Sequence, residues 1–413
     1  MKRVLTFTVV LALTPAAIAQ QPAYELLLKG GHVIDPRNSL NAVRDVAITG
    51  GKIAAIAQNI PASQAKQTVD VTGLYVTPGL VDIHVHVYGG EKRQTYAGGD
   101  QSVWPDGWGP RSCTTTMADA GSSGWRTFED FKLRVIDRSQ TRVVAFLNIV
   151  GLGMREGQLE QSIADMEVKQ TATMAMKYKG TIIGIKSAHF NGPEWTPYER
   201  AVEVGKAASI PVMVDFGSNQ KMGRSIMDLV TKYFRPGDIY THMYGGVRGK
   251  YDEAAKGPSA AMLEGRKRGV KFDVGHGGGS FRWVSAMPMI KAGFVPDSIS
   301  TDLHTGSMNG GMKTMVETMS KFLATGQSLA DIIKWSTDNP AKQIQLPELG
   351  HLSVGAGADV AILRLEKGKF GYVDQNSTAL RVDGTERLNC EVTVRNGQVL
   401  YDLNGMTKAA YRP

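Results

Sequence analysis

The stretch Val81–His86 alternates apolar and polar residues with a period of two, which is typical of a β-strand. Its apolar residues would pack on one face, so His84 and His86 project together from the other face. Neutral imidazole is a common metal ligand, and this spacing places two rings close enough to bind one ion. Two buried histidines with ordinary hydrogen-bond partners are the alternative interpretation of this motif alone.

The middle of the chain, residues 77–345, alternates short apolar runs with amphipathic helical segments. Eight such β-α units in about 270 residues predict a closed (β/α)8 TIM barrel of the α/β class. An open, doubly wound sheet is the alternative, but it would need a glycine-rich phosphate loop where His-x-His stands instead. The last helix is predicted from about Ser328 to Ile344 despite Pro340. The predicted barrel strands are Leu80–Val87, Thr114–Ala120, Val143–Val150, Thr181–Lys186, Pro211–Phe216, Ile239–Tyr244, Val270–Val274 and Ser298–Leu303.

Both ends of the chain carry strand patterns separated by turn signals such as Gly30-Gly31, Gly50-Gly51 and Asn396-Gly397. Neither end has enough strands for a stable sheet of its own. We therefore predict one small β-sandwich domain built from residues 20–76 and 346–413, with the barrel domain of residues 77–345 inserted between them.

The first 19 residues have the pattern of a cleaved signal peptide. Lys2 and Arg3 precede an apolar run that is too short and too interrupted to span a bilayer, and Ala17-Ile18-Ala19 fits a cleavage site. We expect cleavage near Ala19 and export, which gives a periplasmic or secreted protein without a membrane span. An N-terminal membrane anchor is the alternative.

Composition and charge narrow the class of partner. The 413 residues carry a formal net charge of +8, but the basic residues are scattered, which argues against nucleic-acid binding and is compatible with an anionic small-molecule substrate. Cys113 and Cys390 fall in different predicted domains, and we expect two buried thiols rather than a disulfide framework. The sequence leaves the oligomeric state open, and a homo-oligomer is one of the alternatives.

Histidines are concentrated at one end of the predicted barrel. Active sites of such barrels lie at the C-terminal ends of the strands, and six of the eight histidines fall at or just after those ends. They are His84 and His86 (first strand), His189 (fourth), His242 (sixth), His276 (seventh) and His304 (eighth). This distribution favours a metal centre over isolated core histidines.

Lys186 and Asp302 end two further predicted strands at the same rim. A free ammonium on Lys186 would be repelled by nearby metal ions. A carbamate formed from this lysine and CO₂ reverses the charge and supplies two oxygens that can bridge two ions. A snorkelling lysine is the alternative, as is a helix-capping or second-layer role for Asp302.

Specific motifs stand at these strand ends: Pro78–His86, Gly184–Lys186, Thr241–Tyr244, Asp273–Phe281 and Ser300–His304. With them the chain resembles the amidohydrolase superfamily, and within it the amidohydrolase/deacetylase family metallohydrolases of the dihydroorotase-like branch. The resemblance implies two divalent ions, most often Zn²⁺, bridged by the carbamate on Lys186. It implies that the first ion is held by His84, His86 and Asp302, and the second by His242.

Asp215 stands where this family carries a histidine after the fifth strand. Aspartate is an established metal ligand, and its oxygen also suits harder ions such as Mn²⁺. The added negative charge should weaken the Lewis acidity of the site. We predict that Asp215 binds the second ion; a one-metal enzyme, or His189 as a replacement ligand, is the alternative.

The resemblance implies hydrolysis of an amide or ester acyl bond, with Asp302 as general base and then general acid. N-acyl amino acids or acetylated hydroxy acids are the expected substrates. A cyclic amide hydrolase of the dihydroorotase or hydantoinase kind and a catalytically weak metal-binding homologue are the alternatives. We predict substrate binding by His276, whose glycine-rich turn precedes a helix. Further candidates for the pocket wall are Tyr88, Arg155, Tyr244 and Asn309.

Overall fold

The computed structural model describes residues 22–90, 102–154, 160–215, 222–246, 249–377 and 379–411. The predicted signal peptide and Arg155 lie outside these residues, as does Phe216 at the end of the predicted fifth barrel strand. Among the described helices, none combines the length and the apolar character needed to cross a membrane.

The described part of the chain begins with a run of strands, because alternating apolar residues are separated by glycine turns. The first strand continues through Gly30-Gly31 with a register shift between Leu28 and Gly31, so one bulged strand replaces the two that were predicted. The strands are β1 (Tyr24–Asp35), β2 (Leu40–Thr49), β3 (Lys52–Ala57), β4 (Ala65–Asp70) and β5 (Tyr75–Pro78).

The barrel follows at once. Its first strand is buried on both faces, as expected for a parallel strand covered by helices. The described strands are β6 (Leu80–Val85), β7 (Thr114–Gly124), β8 (Arg142–Asn148), β9 (Ile182–Ser187), β10 (Val212–Val214), β11 (Ile239–Tyr240), a hairpin of β12 (Tyr251–Asp252) and β13 (Gly257–Pro258), and β14 (Lys271–Phe272).

Seven of these strands form a parallel sheet in the order β14-β11-β10-β9-β8-β7-β6. The predicted eighth strand, residues 298–303, bridges to both edges of that sheet, because Asp273 pairs with Ser298 and Val85 pairs with Leu303. These two bridges close the barrel. Side chains of non-adjacent strands, such as Val81 and Met213, meet in one apolar cluster inside it.

Helices connect the barrel strands. They are α1 (Pro105–Trp108), α2 (Phe128–Arg134), α3 (Val168–Lys177), α4 (Thr196–Ala208), α5 (Ile226–Asp228, continued by a π-helical turn at Leu229–Tyr233), α6 (Ala260–Lys267), α7 (Trp283–Lys291), α8 (Met315–Ala324), α9 (Leu329–Ser336) and α10 (Asp338–Gln343). Short 3-10 turns lie at Pro36–Asn38, Ala62–Gln64, Pro110–Ser112, Ile136–Arg138 and Ile163–Asp165.

The last predicted helix is two helices in the structure. The break falls at Thr337, whose φ and ψ of −136° and −86° are not helical, and not at Pro340. Pro340 lies in the first turn of α10, where a missing backbone N–H costs little.

The chain then returns to the first domain with β15 (Val360–Val373), β16 (Arg381–Arg395) and β17 (Gln398–Asp402). Strands from both ends form one eight-stranded sheet in the order β17-β16-β15-β5-β1-β2-β3, and β4 pairs with β1. Residues from both terminal segments, such as Val46 and Val392, share one apolar cluster. Neither terminal segment therefore completes this core alone.

The two cysteines form a disulfide, so the prediction of two separate thiols is wrong. Cys113 precedes β7 of the barrel and Cys390 lies in β16, and their Cα atoms are 5.4 Å apart. Both are buried, as predicted. The sequence placed them in different domains, but β16 packs against the barrel and brings the two side chains together across 277 residues of chain.

Candidate metal and substrate site

The first group of metal donors combines both histidines of β6 with Asp302. One ligand atom from each of His84, His86 and Asp302 lies within 4.8 Å of the others. The Nε2 atoms of His86 and His84 lie 3.1 and 3.6 Å from Asp302 Oδ1. Asp302 has a left-handed backbone with φ of 50°. Such a conformation is uncommon outside glycine and is frequent at functional sites.

The second group shares His84 with the first and adds Asp215 after β10 and His242 after β11. Asp215 Oδ2 lies 3.7 Å from His242 Nε2. Asp215 Oδ1 is buried and has no hydrogen-bond partner among the described residues. A buried carboxylate oxygen without a donor is costly, and a cation would satisfy it. The donors present therefore fit a divalent ion at this position.

Lys186 lies beside the histidine that the two groups share. Its side chain is completely buried, and its Nζ lies 3.1 Å from His84 Nε2 and 3.0 Å from Asp215 Oδ2. Burial, together with the Lys186 charge, lowers the pKa of His84 to about 4. His84 is therefore neutral at physiological pH, which is the form that binds a metal.

Neighbouring charged groups also shift the pKa values of the two aspartates among the donors. Burial alone would raise the pKa of Asp302, but the facing His84 and His86 rings hold it far below its usual range. For Asp215, the Lys186 ammonium outweighs burial and lowers the pKa well below the usual value. Both aspartates are ionised and able to act as ligands.

A hydrogen-bonded layer behind the ligands orients His84. Its Nδ1 lies 2.9 Å from the Thr241 hydroxyl, which donates to Asp273 at 2.7 Å. Asp273 also accepts hydrogen bonds from the hydroxyls of Ser298 and Ser300, each at 2.6 Å. Such a second layer fixes which ring nitrogen faces the metal. Asp273 was not among the predicted site residues, although its position near the end of the seventh predicted strand was a usable signal.

His86 is held in the same way from β7. Its Nδ1 lies 3.0 Å from the Ser122 hydroxyl. Asp119 accepts hydrogen bonds from the backbone N–H groups of Ser122 and Val87, at 2.7 and 2.9 Å. Asp119 was also missed, because a single aspartate near a strand end is a weak signal without its partners.

The donors open into a cavity of about 680 Å³. Of the predicted wall residues, Tyr88 lies in this wall and donates its hydroxyl to Asp130. Tyr244 and Asn309 are not among the described wall residues; the Tyr244 hydroxyl instead donates to the Phe294 carbonyl. The described wall consists of His86, Tyr88, Ser122, Met154, Glu160, His189, Asp215, His242, Gly278, Gly279, Ser280, Asp302 and His304.

His276 lies behind this wall, although its glycine-rich turn predicted a place in the pocket. Its ring is buried, stacks on Phe281 with centroids 4.7 Å apart, and accepts a hydrogen bond from Lys321 Nζ. Burial and the Lys321 charge lower the pKa of His276 well below its usual range. Gly275 and Gly277, on either side of this ring, have positive φ angles, and the following glycines, Gly278 and Gly279, line the cavity in its place.

His189 and His304 both line the cavity, and neither belongs to a donor group found among the described residues. His189 Nδ1 lies 2.8 Å from Glu160 Oε2. Glu160 was missed from the sequence because nothing in its local pattern marks it.

Comparison with known proteins agrees with this geometry. A family model described as "Amidohydrolase family" matches residues 283–400. A deacetylase from Agrobacterium fabrum is 31% identical over 347 residues, which cover 82% of each chain. The solved structure of an adenine deaminase aligns with a TM-score of 0.82 at 27% identity, over 92% of this chain and 100% of that one. A solved dihydroorotase aligns with a TM-score of 0.79 at 27% identity, over 91% and 99% of the two chains. The chain therefore belongs to the amidohydrolase family and is a metal-dependent hydrolase of carbon–nitrogen bonds.

Proposed function

We propose that this enzyme is a deacetylase that hydrolyses the acyl bond of an N-acyl amino acid or an acetylated hydroxy acid. The observation that carries the proposal is the pair of donor groups that share His84, with Lys186 Nζ 3.1 Å from this shared histidine and 3.0 Å from Asp215. This is the arrangement needed for two ions with a bridging ligand. The deacetylase name of the Agrobacterium relative supports the choice of reaction.

We further propose that His84, His86 and Asp302 hold one ion, that Asp215 and His242 hold a second, and that Lys186 is carbamylated and bridges them. Zinc suits the imidazole ligands, and manganese suits the added oxygen of Asp215. When bound, the ions supply an activated water and polarise the scissile carbonyl.

Asp302 is the proposed proton carrier. It lines the cavity, and its Oδ1 lies within 3.1 Å of His86 Nε2, so a carboxylate oxygen is fixed beside the donors. In the proposed reaction Asp302 accepts the proton of the attacking water and then gives it to the leaving nitrogen or oxygen. Thr301 and Asp82 hold the backbone before Asp302, since Asp82 accepts from the Thr301 N–H and hydroxyl.

A substrate panel tests the proposal. Purified enzyme would be assayed on N-acetyl amino acids and O-acetyl hydroxy acids, with dihydroorotate and adenine alongside, in the presence of Zn²⁺ or Mn²⁺. We expect hydrolysis of the acetyl compounds and, for Asp302→Asn, a kcat lower by about 10²- to 10⁴-fold with the metal still bound. A near-native rate for Asp302→Asn would contradict the role of Asp302.

Hydrolysis of a cyclic amide is the second candidate. The similarity to the solved dihydroorotase over nearly the whole chain favours it. Turnover of dihydroorotate or a hydantoin, without turnover of open-chain acetyl compounds, would replace the first proposal with this one.

For the location of the protein we propose export to the periplasm or the medium. The Cys113–Cys390 disulfide supports it, because disulfides persist in oxidising compartments and are rare in the cytosol. Cell fractionation, with mass determination of the mature N-terminus, tests this proposal. Recovery of an uncleaved chain in the cytosol would contradict it.

A further inference from the structure

A histidine backed by a buried carboxylate lies in the cavity wall and belongs to neither group of metal donors among the described residues. We propose that His189 binds the carboxylate group of the substrate and thereby selects anionic acyl compounds. This inference rests on the proposed function and names the residue that recognises the substrate class.

The His189 side chain is solvent-accessible in the cavity, whereas its partner is not. His189 Nδ1 lies 2.8 Å from Glu160 Oε2, and the two side chains are 41% and 2% exposed. Both residues line the 680 Å³ cavity. A buried carboxylate behind an accessible imidazole fixes the orientation of the ring and stabilises its cationic form.

The backbone around His189 is held rigidly in an unusual conformation. Its φ is 56°, in the left-handed region. Gln161 Nε2 donates to the His189 carbonyl at 2.9 Å, and Arg224 Nη2 donates to the Phe190 carbonyl at 2.6 Å. Arg224 is completely buried. A strained residue that is fixed from two sides, and whose ring faces a cavity, is typical of a pre-organised binding residue.

The distribution of charged side chains in the described wall also points to His189 as the group that binds an anion. The wall contains Asp215, Glu160 and Asp302 but no lysine or arginine among its described residues. His86 and His242 are assigned to the ions, and burial lowers the pKa of His304. Burial also acts against a charged His189, but the Glu160 hydrogen bond, together with the charges of Asp215 and Glu160, outweighs it and raises the pKa of His189 to about 8. His189 is therefore the cationic side chain that the described wall offers to an anion.

The test compares a substrate that has a carboxylate with one that lacks it. His189→Asn removes the cation but keeps a hydrogen-bond donor for Glu160, and asparagine tolerates a left-handed backbone. We expect the variant to raise KM for N-acetylalanine by roughly 10- to 100-fold, the value of one charge-assisted hydrogen bond. For N-acetylalaninamide, kcat/KM should change less than about threefold, since no ion pair is lost.

Three further variants sharpen this test. Glu160→Gln should also raise KM for N-acetylalanine, but by a smaller factor than His189→Asn. His351→Asn, the same replacement in the β domain, should leave both substrates unaffected. Equal losses on both substrates in His189→Asn would overturn the inference, as would a preference that disappears in Arg155→Gln but persists in His189→Asn.

A binding measurement separates failure of this inference from failure of the proposed function. If no acetyl compound is hydrolysed, the deacetylase proposal fails, and calorimetry with the same two probes still tests His189. Tighter binding of N-acetylalanine than of N-acetylalaninamide, lost in His189→Asn, supports the inference. Equal binding of the two probes by the unaltered protein overturns it.

Discussion

Two buried lysines next to histidines show how differently this fold uses the same side chain. Lys321 in α8 donates to His276 Nε2 and to the carbonyls of Gly311 and Val373. An ammonium has three N–H donors, so each finds an acceptor. Lys186 in β9 has His84 Nε2 and Asp215 Oδ2 as its close partners, and its third neighbour is the weak acceptor Met213 Sδ at 3.7 Å.

Burial of a lysine does not by itself identify a catalytic residue. Lys321 is surrounded by neutral acceptors that serve only to solvate it, and it links the glycine-rich turn, α8 and β15. Lys186 instead contacts His84 and pairs with Asp215, and both of these side chains also belong to a group of candidate metal donors. The two buried lysines therefore differ in the chemistry of their neighbours.

The largest expected effect comes from Lys186→Met. Without a bridging group between the donor groups, we expect less than one tightly bound ion per chain and a loss of at least about a thousandfold in kcat. Elemental analysis and steady-state kinetics measure this. Two ions and near-native activity in Lys186→Met would mean that the two lysines do not differ in function.

Lys321→Met should instead act on stability. It leaves His276 Nε2 and two buried carbonyls without their donor, so we expect the free energy of unfolding to fall by about 2–5 kcal/mol. Metal content per folded chain should be unchanged. Lys313→Met, at an exposed position just before α8, is the matched control and should stay within about 0.5 kcal/mol of the unaltered protein. Loss of metal without loss of stability in Lys321→Met would contradict the structural role of Lys321.

Variants of Asp215, the ion-pair partner of Lys186, test the same difference between the two lysines. Asp215→Ala should empty the second metal position and reduce the content from two ions to one, whereas Asp215→His should keep or raise it. Elemental analysis of both variants under one reconstitution protocol distinguishes a ligand from a simple counter-ion of Lys186. Two ions retained in Asp215→Ala would remove Asp215 from the ligands.

The smallest effect is a pH dependence of stability. Burial lowers the pKa of Lys321 to about 7, despite the opposing charges of Glu317 and Asp374, and nearby Lys313 lowers it further. Between pH 7 and about 10 the unfolded chain keeps a proton that the folded chain has released, so this residue's contribution to stability rises with pH. The slope is at most about 1.4 kcal/mol per pH unit, and the contribution is constant below pH 7.

Denaturant unfolding at several pH values measures this term. The difference between the unaltered protein and Lys321→Met should grow from pH 7 to pH 9. A difference that stays constant over this range would show that Lys321 keeps its proton throughout.

Local patterns in the sequence were sufficient to predict the barrel and the rim at which its polar side chains gather. The alternation around His84 and His86, and the apolar run before Lys186, are each contained in a few residues, and a parallel barrel necessarily gathers strand ends at one rim. The Asp302 and Asp215 positions follow from the same rule. The place of these residues at the rim depends on periodicity, which a single sequence displays directly, whereas their predicted roles as ligands came from the family resemblance.

Tertiary structure decided what depends on contacts between distant segments. The partner of Cys113 lies 277 residues away, Lys321 reaches His276 across 45 residues, and Glu160 meets His189 across 29. Such pairings leave no periodic trace, because the energy of a contact depends on how the layers pack and not on the spacing of its members. The sequence by itself therefore determined the rim and its donors, while the packing of barrel, helices and β domain decided which side chains face the cavity and which lie behind it.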